Sequence, residues 1–113
     1  MATAIEGNPM RNSIWMSVLA AVSLTAAAPA DASEAIARKT SCLACHSVES
    51  RIVGPAYREV AAKYRNNPFA GQIIRWKVRN GTGKNKPLPM PAFDKKALSD
   101  ADLESITNWI LGL

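Results

Sequence analysis

The sequence predicts an all-α domain of about four short helices, on three observations. Apolar residues recur at helical spacing in four separate stretches, no apolar–polar alternation of a strand is found beyond residue 32, and glycine, proline and asparagine punctuate the intervals. The 113 residues, 48% hydrophobic and 20% charged, suffice for one domain and are too few for two independent cores. Large multidomain enzymes are thereby excluded. With two cysteines and one histidine, so are disulfide frameworks and histidine-rich metal sites.

Residues 14–28 (IWMSVLAAVSLTAAA) form an uncharged apolar run, shorter than the roughly 17–25 residues of a membrane-spanning helix. Arg11 precedes the run, and the small-residue patterns Ala28-Pro29-Ala30 and Ala30-Asp31-Ala32 follow it. This is the pattern of a secretory signal peptide over residues 1–32, cut after Ala30 or Ala32. Export to the periplasm, with no stable membrane insertion after cleavage, is the expectation. Glu6 is out of place in such a leader, and a start at Met10 gives a cleaner basic-then-apolar order. The remaining 81 residues carry 13 bases and 7 acids, a balance of +6. A polypeptide of that size is marginal alone and needs a staple.

In the domain at residues 33–113, Ser33 is placed as the N-cap of a first helix that runs through Ala37 and Arg38 toward Cys42. Residues 48–54 are turn-like. A second helix covers residues 56–64 (AYREVAAKY), with Tyr57, Val60, Ala61 and Tyr64 on one side. Asn67-Pro68 caps a third over about residues 68–79, whose buried side is Phe69, Ile73, Trp76 or Ile74, and Val78, and which ends at Asn80-Gly81. Residues 81–93 (GTGKNKPLPMPAF) form an ordered loop rich in glycine and proline. The last helix starts at the capping-box pattern Ser99-Asp100-Ala101-Asp102, carries Leu103, Ile106, Trp109 and Ile110, and ends at Gly112.

Cys42-Leu43-Ala44-Cys45-His46 is C-x-x-C-H, the attachment signature of c-type haem. On a helix the three residues share one face, so two thiols reach two vinyl groups while the imidazole reaches the iron. Zinc is disfavoured because no further Cys or His completes a ligand set. A thioredoxin-like dithiol lacks its strand–helix setting, and a plain Cys42–Cys45 disulfide is the remaining chemical alternative. His46 is the only histidine, so two histidine ligands within one chain are impossible. Beyond residue 32 Met90 is the only methionine, set in Pro87-Leu88-Pro89-Met90-Pro91. Each residue before a proline is pushed toward extended geometry, which makes a stiff strap that loses little entropy on binding iron. Met/His ligation also raises the reduction potential. The alternative role for Met90 is core filling. A ligating imidazole usually donates its other N–H to a carbonyl, and the Pro55 carbonyl is in reach at Gly54-Pro55.

These residues resemble the small bacterial monohaem class I cytochromes c, in particular the cytochrome c-551/c-552 group. The resemblance covers nearly all of residues 33–113 and rests on CLACH, VGPAYREVAAKY, VRNGTG, LPMP and LSDADLESITNWIL. It implies the class I cytochrome c fold, with short helices wrapped around one covalent haem c bound through thioethers at Cys42 and Cys45. It further implies axial ligation by His46 and Met90, a His46 hydrogen bond to the Pro55 carbonyl, and packing of the first helix on the last with Trp109 between. The group often carries a tryptophan before the strap, which residues 83–86 lack, and Pro-Asn after it, where Ala92-Phe93 stands here. Trp76 and Lys77 are the candidates for the propionate contact.

Six-coordinate iron in an apolar shell has no open position for substrate, so the expected function is one-electron transfer by a soluble carrier rather than an enzyme. Two alternatives remain: a ligand-binding or peroxidase-like protein whose sixth ligand is labile, and a subunit of an oxidoreductase. Lys39, Lys84, Lys86, Lys95 and Lys96 flank the expected haem edge and suit acidic docking surfaces on redox partners met by a monomer. Nucleic acid is not an expected partner, since no basic stretch is interleaved with aromatics. Gly83-Lys84 is no P-loop either, because Val78 and Asn85 stand where glycine and Ser/Thr are required.

Overall fold

Five helices form among the residues described by the computed structural model, 30–113 and Ala21: α1 (Ala30–Lys39), α2 (Cys42–Cys45), α3 (Tyr57–Tyr64), α4 (Ala70–Asn80) and α5 (Asp100–Leu111). Met10, Arg11 and, Ala21 apart, the rest of the expected leader up to residue 29 lie outside them. None of the described helices is long and apolar enough to cross a membrane.

Helix α5 organises the others. Ser99 Oγ accepts from Asp102 N at 3.2 Å to start it, and Gly112 closes it through bonds to the carbonyls of Asn108 and Trp109. Its Leu103, Ile106 and Ile110 are buried at i, i+3 and i+7, and α1, α3 and α4 all pack against this helix. Ala37 of α1 and Tyr57 of α3 complete the core with Leu98, a residue of the loop before α5. The expected packing of the first helix on the last is thus present, with Trp109 against the core.

The helix boundaries differ from the expectations in ways that move side chains. Ser33 is not an N-cap: α1 begins three residues earlier, because alanine is the strongest helix former, and Ser33 is buried inside it. Nor does α1 reach Cys42. Thr40 bonds back to the Ile36 carbonyl through both its N–H (3.0 Å) and its hydroxyl (2.8 Å), and Ser41 turns left-handed at φ 66°. Cys42–Cys45 is therefore a separate turn, and His46 leaves it with extended backbone (φ −117°, ψ 150°) instead of continuing the helix. Asn67 rather than Pro68 makes the first contact of the next element, its side chain accepting from Phe69 N at 2.8 Å, and α4 starts at Ala70.

On α4 the stripe Ala70, Ile74 and Val78 faces the core, whereas Phe69 and Trp76 are 63% and 64% exposed. Periodicity allows either stripe. Ala70 permits close approach of the helix to its neighbour, which selects the first.

Candidate functional site

The two cysteines, His46 and Pro55 come together at the turn between α2 and α3. The backbone of the intervening loop is closed at both ends: Gly54 N donates to Cys45 O at 2.7 Å, while Tyr57 N and Arg58 N donate to the carbonyls of Ser47 (2.9 Å) and Val48 (3.1 Å). Those bonds fix Pro55 relative to His46. His46 Nδ1 lies 2.8 Å from the Pro55 carbonyl oxygen. Since a carbonyl only accepts, Nδ1 carries the proton and Nε2 keeps its lone pair, the tautomer a metal ligand needs. Cys42 and Cys45 are not joined to each other by a disulfide. No cluster of three or more Cys, His, Asp or Glu suited to a metal occurs among the described residues.

The imidazole is also held through its face. It stacks on Tyr57 at 5.0 Å and 20°, and Tyr57 in turn meets Trp109 edge-on at 5.6 Å. Burial pushes the Tyr57 phenol well above its ordinary value, and the neighbouring Cys42 thiol adds to this. Tyr57 therefore stays neutral. Sequence periodicity marks it as a core residue but gives no sign of the stacking, which joins α3 to a loop.

Gly54 is the other residue whose role only the structure reveals. A Cβ there would lie 2.4 Å from His46 Cε1 and 2.7 Å from Nδ1, closer than van der Waals contact allows. Gly54→Ala is expected to turn the ring away from Pro55 and to lower stability by about 1–3 kcal/mol, as overpacking does. Denaturant titration of the haem-loaded variant measures this, and an unchanged midpoint would contradict it.

Met90 stands on the second segment. Its N–H donates to Thr82 O at 3.0 Å and its carbonyl accepts from Thr82 N at 3.1 Å, an isolated antiparallel bridge inside the expected loop. Gly81 makes the approach possible: its φ is 76°, and a Cβ there would lie 2.8 Å from the Met90 oxygen. The strap and the His46–Pro55 loop bound one cleft of about 480 Å³, lined by Ile52, Val53, Lys86, Pro87 and Leu88. Ile52, Val53 and Leu88 are half or more exposed there. Of the two candidates for a propionate contact, Lys77 donates through Nζ to Tyr64 OH at 2.9 Å, holding that phenol below its ordinary value, and Trp76 is exposed to solvent.

Residues 28–110 match the family described as cytochrome c oxidase, cbb3-type, subunit III. Cytochrome c-551 of Allochromatium vinosum is 42% identical, over 84% of this chain and all of its own. Cytochrome c-552 of Nitrosomonas europaea is 38% identical, over 88% of this chain and 95% of its own. The crystal structure of that Nitrosomonas europaea cytochrome superposes with a TM-score of 0.62 over 71% of this chain and 98% of its own. A class 1 cytochrome of Sideroxydans lithotrophicus, 25% identical, gives 0.65 over 74% and 95%. The cofactor that comes with this kinship is one covalently bound c-type haem, and the activity is electron transport. With its helices gathered on α5 and a C-x-x-C-H turn ahead of a proline-flanked methionine, the chain belongs to the small class I cytochromes c of the c-551/c-552 group.

Proposed function

We propose that the protein is a soluble, monomeric, periplasmic one-electron carrier and not an enzyme, with its haem held by Cys42 and Cys45 and ligated by His46 and Met90. The observation that carries this reading is one largely apolar cleft lined from two segments. Ile52 and Val53 come from the loop that follows His46, whose ring Pro55 and Tyr57 fix. Lys86, Pro87 and Leu88 come from the proline-stiffened strap that leads to Met90, itself pinned to Thr82.

The residues fit the group. Ile52, Val53 and Leu88 expose apolar surface into the cleft, where a flat macrocycle would cover it. Cys42 and Cys45 supply the thioethers, His46 Nε2 one axial donor and the Met90 sulfur the other. The Pro55 carbonyl keeps the His46 ring oriented and its Nδ1 protonated, which raises the basicity of Nε2. The bound haem supplies the one-electron iron couple. Ile52, Val53 and Leu88 exclude water from it and favour the less charged form of the couple.

Charge supports acidic partners. From residue 60 to residue 93 there are seven Lys and Arg and no Asp or Glu. Lys86 lies on the rim of the cleft. Lys95, by contrast, is paired with Asp100 at 3.1 Å and contributes less to such a ring.

The test is a potentiometric titration of the purified haem protein followed by exposure of the reduced form to carbon monoxide. A reversible single-electron wave with no rapid CO binding is expected. Rapid CO binding would favour the labile-ligand alternative. The match to a family described as an oxidase subunit keeps the third reading, a subunit of an oxidoreductase. Elution from native extract at the mass of the monomer separates the carrier from it.

A further inference from the structure

We propose that Arg79 is a positioning residue that governs how firmly the Met90 strap is held against the cleft; this rests on the reading of Met90 as an iron ligand. Prolines at 87, 89 and 91 leave the strap with backbone donors only at Leu88 and Met90, so it cannot secure itself through a ladder of its own. Its fixings must come from the flanks. On the near side Met90 is paired with Thr82. On the far side Phe93 N donates to Val78 O at 2.9 Å, and the Arg79 guanidinium takes up the carbonyls that follow.

Arg79 sits in the last turn of α4 with its side chain 20% exposed. Its Nη1 donates to the carbonyl oxygens of Phe93 (3.0 Å), Asp94 (3.1 Å) and Leu98 (2.7 Å), and its Nη2 donates to Asp100 Oδ1 at 2.7 Å. One side chain thus joins the end of α4, the segment leaving the strap, and the first residue of α5. The two N–H groups of one guanidinium nitrogen serve the three carbonyls, one hydrogen being shared, while the other nitrogen reaches the carboxylate, so the planar fork spans two directions at once. Lysine has three donors on one atom and cannot span the same set. Without the guanidinium, three carbonyls lose a charged donor, and the chain after Pro91 is held to α4 by the Phe93–Val78 bond alone while the core around α5 stays packed.

The consequence is specific: loosening at Arg79 opens the sixth position before it unfolds the protein. The experiment compares haem-loaded wild type, Arg79→Gln, Arg79→Lys and Asp100→Asn. It follows the methionine-to-ferric-iron far-red band and the far-UV circular dichroism in parallel denaturant titrations. Under native conditions it also measures the rate at which imidazole replaces Met90 on the oxidised protein. In Arg79→Gln the far-red band is expected to disappear ahead of the helical signal, and imidazole uptake to rise about tenfold or more, the size of a lost charged hydrogen bond. Arg79→Lys should fall between the two, which keeps the test decisive if the glutamine variant folds poorly. Asp100→Asn should stay near wild type, because an exposed ion pair is worth little. Parallel loss of band and helix with an unchanged imidazole rate would make Arg79 a purely structural residue and overturn the proposal. A wild type without the far-red band would instead overturn the Met90 reading on which it rests.

Discussion

Protein produced without haem is expected to lose most of its far-UV helical signal. The core explains why: only Ala37, Tyr57, Leu98, Leu103, Ile106 and Ile110 form the buried cluster, three of them from α5, one each from α1 and α3, and one from a loop. A domain of about 80 residues with so small a core gains little beyond the entropy of ordering its chain. Ile52, Val53 and Leu88 gain their burial only from what fills the cleft. Haem therefore accounts for much or all of the roughly 5–15 kcal/mol by which domains are stable. A Cys42→Ala/Cys45→Ala variant, expressed without haem, provides the test by circular dichroism. Near-native ellipticity would show that side chains alone hold the fold.

The second large effect is expected at Met90. Replacing it with alanine removes the sulfur but leaves the backbone bridge to Thr82, so the fold should persist while the iron changes. The reduction potential should fall by on the order of a few hundred millivolts, well within the range that axial ligands span. Reduced Met90→Ala should also bind carbon monoxide rapidly, since a coordination position is then open. A variant with the potential of wild type and no CO binding would return Met90 to the role of core filler.

Much of the molecule was legible in the sequence, and the exceptions share a cause. Helices α3 and α5 could be read because their apolar spacing and their stop signals agree, as at Ser99 and Gly112. The C-x-x-C-H motif and the His46–Pro55 bond were legible because both are local in the chain. The break at Ser41 was not, since Lys39-Thr40-Ser41 holds neither glycine nor proline and the left-handed turn is imposed by the joining of α1 to α2. The outward side of α4 was misread because Phe69 and Trp76 are as hydrophobic as the residues that face the core, and pattern does not say which stripe is covered. Leu98, 1% exposed, carries no periodic signal because it sits on no periodic element. Gly54 under the His46 ring and Arg79 across three segments depend on contacts that no window of sequence contains.

Acid should loosen the far end of the strap. The Arg79 guanidinium, and after it Lys95, hold the Asp100 carboxyl below the usual carboxylate range. A group depressed on folding stabilises above its unfolded value and loses that contribution as the pH falls through its folded one. Because Asp100 is exposed, the effect is small beside that of Arg79 itself.

His46 and Met90 together are proposed to ligate the iron of an electron carrier. The absorption spectrum of the oxidised protein, extended into the far red, tests it most directly. The expected result is c-type haem bands together with a weak methionine-to-ferric-iron band that vanishes in Met90→Ala. C-type bands with no far-red feature in the wild type would contradict it.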